Sequence, residues 1–375
     1  MNKDKKVVKR KSADFILLIA TISLVFVGIV MVFSSSWPEA MVEFNDGYHF
    51  LKKQLTSATL GFIALLFTMN IDYRLFKKFA VPIYVLSLLS GLLLFTPLGV
   101  ELKGATRWIN LGFTTFMPSD AIKVGSIIFF ASFLANKKDK VGTLVQGTIP
   151  ALIYIGLSCG LIFLQPDLGT TVTLAATLMA MFFVAGMKIS HLSAMIIGAA
   201  AFLFYAIAGE GNEYRMSRWT TFLDPFADKL GDGWQVVQSL YALGSGGLFG
   251  LGLGKSRQKF FYIPEAYNDF IFSIIGEELG LFGTLLVLFL FLILIWRGVI
   301  IALKTDDLFG CYLASGITAL ITIQSLINIA VVTSSIPTTG ITLPFISYGG
   351  TSLLFYMASV GILLNISRHA KLDRS

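Results

Sequence analysis

Long apolar runs constrain this chain more than any other feature. A membrane-crossing helix needs about 20 predominantly apolar residues. Ten stretches of roughly that length can be read off the sequence, at 15–33, 54–71, 79–97, 118–135, 147–165, 169–187, 190–208, 269–296, 308–332 and 350–366. Backbone polar groups find no water in hydrocarbon, so such runs must satisfy their hydrogen bonds internally as helices. The expectation is an all-α integral membrane protein of ten transmembrane helices. Apolar residues make up 55% of the chain and charged residues 14%, where a soluble domain carries about 25% charged residues. Residues 1–375 are therefore read as a single polytopic membrane domain, with tails at 1–13 and 367–375 and one large loop at 209–268, between spans 7 and 8. The run beginning at Phe15 is too long for a signal-peptide core and lacks a small-residue cleavage site. Cys159 and Cys311 both lie in apolar stretches, where buried free thiols are expected rather than a disulfide framework or a zinc site.

The distribution of charge sets the orientation. The formal net charge of +7 could suggest nucleic acid, but the basic residues follow the loop pattern, so no nucleic-acid partner is expected. Lys3, Lys5, Lys6, Lys9, Arg10 and Lys11 precede the first span, and Arg74, Lys77, Lys78, Lys137, Lys138, Lys140, Lys188, Arg297 and Lys304 fall on the same side. By the positive-inside rule that side is cytoplasmic, with both termini on it. Two opposite loops, 98–117 and 209–268, carry basic residues against the rule. The second, about 60 residues long, far exceeds an ordinary connection and is rich in aromatics and glycine.

Several polar residues stand where the membrane makes them costly. Asp120 and Lys123 follow Pro118 at the start of span 4, and their spacing of three puts them on one helical face. They are either a structural ion pair or a cationic aid to binding an anion. Asp269 heads span 8. At 100° per residue, Ser273 falls at about 40°, Gly276 at about −20° and Gly280 at about 20° from it. This small and polar stripe should face a cavity or another helix rather than lipid. Glu277, deeper in the span, is expected to be a structural partner for a buried Lys or Arg. Arg107, Trp108, Arg215, Arg218, Lys255, Arg257 and Lys259 crowd the two anomalous loops. They suit either lipid headgroups or a pyrophosphate. Gly252 to Ser256, GLGKS, lacks the first glycine of a nucleotide-binding loop. The three histidines lie in different loops and suggest no shared metal site. A Pro, Gly and hydroxyl-rich loop at 333–350 looks re-entrant, and Gln165-Pro166-Asp167-Leu168-Gly169 breaks the chain between spans 5 and 6.

The runs GATRWINLGFTTFMPSDAIK, QPDLGTT, the long stretch from YRMSRWTTFLDPFADKL to FYIPEAYNDFIFSIIGEELG, and IPTTGITLPFISYGGTSLL resemble the signature stretches of the SEDS family, the shape, elongation, division and sporulation proteins of bacteria. The opening and closing segments look closer to the division and sporulation branch, FtsW and SpoVE, than to the elongation branch, RodA. The resemblance implies a peptidoglycan glycosyltransferase that polymerises lipid II at the outer face of the bacterial cytoplasmic membrane. It places the family's essential aspartate on Asp269 and its substrate-binding positions on Arg107, Trp108 and Lys123. Arg215, Arg218, Gln258, Lys259 and Glu265 are added as candidate substrate-binding residues, with Asp120 and Glu277 as supports. The chain departs from the family's common pattern at Met117 and Asp120, and at Tyr267-Asn268 before the aspartate.

The chemistry so implied is an inverting displacement, which needs a base for the acceptor hydroxyl and stabilisation of a pyrophosphate leaving group. Asp269 is the expected base. The alternative role for Asp269 is to hold a divalent cation such as Mg2+ or to orient the acceptor; no other metal ligand is assigned, and no organic cofactor is expected. Expected partners are lipid II, a class B penicillin-binding protein (a single-span transpeptidase), and other divisome or sporulation wall proteins. The main rival is a lipid II flippase that makes no bonds, since a cationic cavity between spans serves transport as well. A scaffold for other wall enzymes is a third reading.

Overall fold

A computed structural model describes residues 12–102, 105–110, 115–209, 213–231 and 233–371. The basic residues of the N-terminal tail, Lys103 and Arg374 lie outside the described residues. In chain order the α-helices are α1 (Phe15–Phe44), α2 (His49–Asn70), α3 (Arg74–Lys78), α4 (Ala80–Leu92), α5 (Pro118–Asn136), α6 (Ile149–Phe163) and α7 (Leu168–Val184). There follow α8 (Ile189–Ala208), α9 (Glu213–Leu223), α10 (Trp234–Ser245), α11 (Ile271–Leu303), α12 (Leu308–Val332) and α13 (Gly350–Ser367).

Each of the ten apolar stretches contains a helix. Eight of these are long and apolar enough to cross a membrane, while the segments Ala80–Phe95 and Leu168–Val184 are apolar but shorter. The chain is thus a multi-helix protein built for a bilayer. Helix starts follow local chemistry: Asp14, Asp167 and Asp307 cap α1, α7 and α12 by accepting from the backbone N–H groups of Leu17, Thr170 and Gly310, which relieves donors that a helix N-terminus leaves unpaired.

Three differences from the sequence-based expectation matter. The fold is not purely α: β1 (Gly99–Leu102), β2 (Ala105–Asn110) and β3 (Thr115–Phe116) form an antiparallel sheet between α4 and α5. Its short, glycine-interrupted strands carry little periodicity to read. Helix α1 runs well past residue 33 because Ser34, Ser35 and Ser36 are buried rather than solvated, and Ser34 and Ser35 spend their hydroxyls within the protein. The 209–268 segment contains two helices, and α10 packs against α11.

The buried side chains form one apolar cluster to which α1, α2, α5, α7, α11, α12 and α13 all contribute. Helices α2 and α13 pack closely, and the Thr68 hydroxyl donates across to the carbonyl of Ala358 at 2.9 Å. At the opposite end of the bundle from Asp269, Arg297 of α11 donates through Nε to Asp14 Oδ2 at 2.9 Å. Both ends of α11 are therefore tied down, and the segment before its first turn is held in a fixed place.

Candidate functional site

Asp269 precedes α11 by two residues and is half-buried. Its segment is held by three successive carbonyls. Tyr348 donates its backbone N–H to Tyr267 O at 3.0 Å, Ser347 Oγ donates to Asn268 O at 2.7 Å, and Asn328 Nδ2 donates to Asp269 O at 2.8 Å. The same Asn328 amide reaches Ile341 O at 2.7 Å. One buried side chain of α12 therefore joins the Asp269 segment to the 333–350 loop. That loop passes over the carboxylate, and a Cβ placed on Gly340, whose φ is +71°, would lie 3.5 Å from Asp269 Oδ2. The positive end of the α11 dipole favours an anion at this position.

Tyr267 anchors the segment from its other side, donating its hydroxyl to Glu39 Oε1 at 2.9 Å. Burial pushes the Tyr267 phenol well up, and the Glu39 carboxylate adds to the effect. Glu265 sits at the turn before it, at φ 49°, where its carbonyl accepts from Asn268 N at 2.9 Å.

The expected basic residues divide into three groups. Arg218 of α9 donates to Thr338 O at 2.9 Å, on the loop that covers Asp269. Arg107 of β2 donates to the carbonyls of Gln165 and Pro166. That corner leads into Gly169, which lies so close to the loop that a Cβ there would be 2.9 Å from Thr339 O. Arg107, Arg218 and Asp269 are thus linked through one continuous surface, the corner 165–169 and the loop 338–341. Trp108 is half-buried in the same strand, opposite Val100. Arg215 instead turns toward the ends of α6 and α8, donating to Ala206 O at 2.9 Å with its guanidinium 5.1 Å from the Phe163 ring.

Lys123 and Asp120 are both buried and 2.9 Å apart. Ser352 Oγ donates to the second Asp120 oxygen at 2.6 Å. Lys123 Nζ also lies 3.2 Å from Gln324 Oε1 and 3.3 Å from Tyr356 Oη. Gln324 in turn donates to Thr342 O at 3.0 Å. The ion pair is therefore wired to the same loop that Asn328 holds, one helical turn further along α12.

The third group lies elsewhere and corrects two expectations. Glu277 accepts from Ser256 Oγ and from the backbone N–H groups of Arg257 at 2.9 Å and Gln258 at 3.3 Å, so its partners are loop donors and not the side chain of a lysine or arginine. The buried lysine belongs to its neighbour: Lys259 Nζ lies 2.9 Å from Glu278 Oε1, 2.7 Å from Gly254 O and 3.2 Å from Ser34 Oγ. Its three donors are spent inside the protein, so Lys259 serves this knot and not an open binding surface. Gln258 is held beside Glu277, about two turns along α11 from Asp269. GLGKS, too short for a nucleotide loop, still cradles an anion, since Gly254 N and Ser256 N donate to Glu278 at 3.0 and 3.2 Å.

The small stripe on α11 does face protein: Ser273 Oγ is 2.7 Å from Ser239 Oγ of α10. Asn328, Gln324 and Ser347 were not singled out from the sequence. The spacing of four between Gln324 and Asn328 in an apolar helix was the available signal, because amides in a span normally face a polar interior. Among the described residues, no group of three or more His, Cys, Asp or Glu side chains is arranged to hold a metal ion.

Comparison with known proteins agrees with this architecture along its whole length. The chain is 44% identical to the stage V sporulation protein E of Bacillus subtilis over 97% of this chain and 99% of that protein. It is 43% identical to a probable peptidoglycan glycosyltransferase FtsW of Trichlorobacter lovleyi, over 96% and 94% of the two chains. Among solved structures, it resembles a chain from a study of a peptidoglycan synthase complex that coordinates polymerization and crosslinking, with TM-score 0.80, 28% identity and coverage of 96% and 99%. The rod shape determining protein RodA of Thermus thermophilus matches with TM-score 0.70 at 26% identity, over 96% and 98% of the chains. A family model described as a cell cycle protein matches residues 15–372, and the chain belongs to this FtsW/RodA/SpoVE family.

Proposed function

We propose that the protein is a peptidoglycan glycosyltransferase that polymerises lipid II into glycan strands during cell division or sporulation. On this reading it works at the outer face of a bacterial cytoplasmic membrane, with ten spans and cytoplasmic termini. The observation that carries it is the placement of Asp269. Its backbone is pinned by Asn328, its carboxylate lies under Gly340, and Arg218 is bound to the same loop.

The reaction is an inverting transfer. An acceptor sugar hydroxyl attacks the anomeric carbon of the donor, a C–O bond forms, and the bond from that carbon to the pyrophosphate oxygen breaks. Asp269 takes the hydroxyl proton, and the lipid pyrophosphate leaves as an anion. Arg107 and Arg218 border the surface where that anion would lie and supply charge-assisted donors. Lys123, with Asp120, braces the 333–350 loop at Thr342 through Gln324. In the alternative role, Asp269 would hold a divalent cation such as Mg2+ instead of taking the proton itself, and the cation would neutralise leaving-group charge. A class B penicillin-binding protein is the proposed partner.

The test is polymer formation from labelled lipid II by the purified protein, with and without that partner. Polymer with the native chain and none with Asp269→Ala supports the reading. Polymer from Asp269→Ala removes the catalytic assignment, and translocated lipid II without polymer from the native chain identifies a flippase.

A further inference from the structure

The main chain at Asp269 is not held by the helix that follows it. Helix α11 opens by pairing Ser273 N with Phe270 O at 2.9 Å, so Asp269 O lies outside the ladder of that helix and takes its donor from elsewhere. The donor comes from the middle of an apolar span. Asn328 of α12 is wholly buried, and its Nδ2 gives one hydrogen to Asp269 O at 2.8 Å and the other to Ile341 O at 2.7 Å. Both acceptors are carbonyls, so the amide has one orientation: turned over, it would set Oδ1 against two oxygens. Oδ1 itself makes no hydrogen bond among the described residues. An amide buried in a span with one atom unpartnered is costly, and what it supplies is two donors at a single atom.

Those two donors fix a relative position. Through one nitrogen atom, the peptide that carries the Asp269 side chain and the loop that covers it are tied to each other and to α12. The loop is closely packed on either side of this point. A Cβ on Gly169 would lie 2.9 Å from Thr339 O and 3.0 Å from Ile341 Cγ1, so α7 abuts it, and a Cβ on Gly28 would lie 2.5 Å from Phe345 O, so α1 abuts it further on. Phe345 has φ 66°, a left-handed conformation that a bulky residue keeps only where its surroundings impose it. Ser347 and Tyr348 of the loop hold the carbonyls of Asn268 and Tyr267. At the carbonyl of the acid itself the donor is Asn328.

We propose that Asn328 is a positioning residue of the transfer reaction, setting where the Asp269 carboxylate stands against the 338–341 loop that Arg218 also holds. Being wholly buried, it acts through the main chain of Asp269 and not by touching the sugar or the pyrophosphate. A reacting group displaced by about 1 Å can lose about 10²-fold in rate. The inference rests on the glycosyltransferase reading of the site.

The test measures lipid II polymerisation by the full chain together with a class B penicillin-binding protein. Asn328→Leu keeps the approximate volume and removes both donors, and Asn328→Ser is too short to reach both carbonyls. Rates are referred to folded protein, counted by size exclusion and by the unfolding transition in detergent. The expected result is kcat lowered by about 10²-fold in the variants, with KM within about twofold of the native value, the split that marks a loss confined to the transition state. A native kcat per folded molecule in a variant overturns the proposal. So does a raised KM at native kcat, which would move the influence of Asn328 to substrate binding. Failure of both variants to fold makes Asn328 a structural group and overturns it as well. No polymer from the native chain removes the glycosyltransferase reading and this role with it, whereas native polymerisation that both variants retain removes this role alone.

Discussion

Three carboxylates lie within ten residues of one another along α11 and its approach, and the two regions they occupy are built on opposite terms. Around Asp269 the protein spends backbone carbonyls: Tyr267 O, Asn268 O and Asp269 O each accept from a distant segment, and the side chain stays half-buried. Around Glu277 and Glu278 it spends the carboxylates themselves, both fully buried, on Ser256, Lys259, Ser34 and loop N–H groups. At Asp269 the main chain fixes the position of a half-buried carboxylate, whereas at Glu277 and Glu278 buried carboxylates hold the fold. Composition and spacing do not distinguish the two.

Substitutions should separate these regions by what they damage. The largest effect is expected at Asp269. Asp269→Asn should lower lipid II polymerisation by about 10²–10⁴-fold, the usual worth of a positioned base, with an unfolding temperature in detergent near that of the native chain. A similar unfolding shift in both regions would erase the distinction.

Next comes the knot. Lys259→Met leaves Glu278 buried without its cation, and breaking a buried pair from one side costs about 3–5 kcal/mol. The expected readout is loss of thermal stability with activity falling only as folded protein falls. A full-stability Lys259→Met protein that fails to polymerise would move Lys259 back into the binding surface.

Arg218→Lys is expected to act in between. The bond to Thr338 O involves a charged donor, of a kind worth about 1.5–3 kcal/mol, and it ties α9 to the loop over Asp269. Polymerisation should drop about tenfold with little change in unfolding, and lipid II titration should show whether the loss lies in KM.

The smallest effect is expected at Tyr267. Tyr267→Phe removes the bond to Glu39, a loss of about 1 kcal/mol. The phenol is raised above its ordinary value of 10.0 in the folded chain, so its contribution is intact below pH 10 and is lost as pH rises and the unfolded chain releases the proton first. Alkaline unfolding curves of the native and Phe variants should therefore converge above that pH.

Much of the fold was legible because lipid imposes a one-dimensional rule: a long apolar run must be a helix. Asp269 was legible as a carboxylate at a helix start, and the resemblance to a known family gave it a role. The small sheet at 99–116 was not, since its strands are too short to show alternation. Lys259 was misplaced because basic charge near an aspartate in sequence looks the same whether it faces water or a buried acid. Asn328 is 59 residues from Asp269, and no local pattern joins them.

The sequence by itself determined where helices form and which residues carry charge into the membrane, because hydropathy and helix-start chemistry are local. Only the tertiary structure decided which acid stays half-buried and which is wholly enclosed. That depends on Ser34, 244 residues from Glu278, and on the break at Gly280 that brings a glycine hairpin against α11. Whether a buried charge is satisfied is a property of what surrounds it in space.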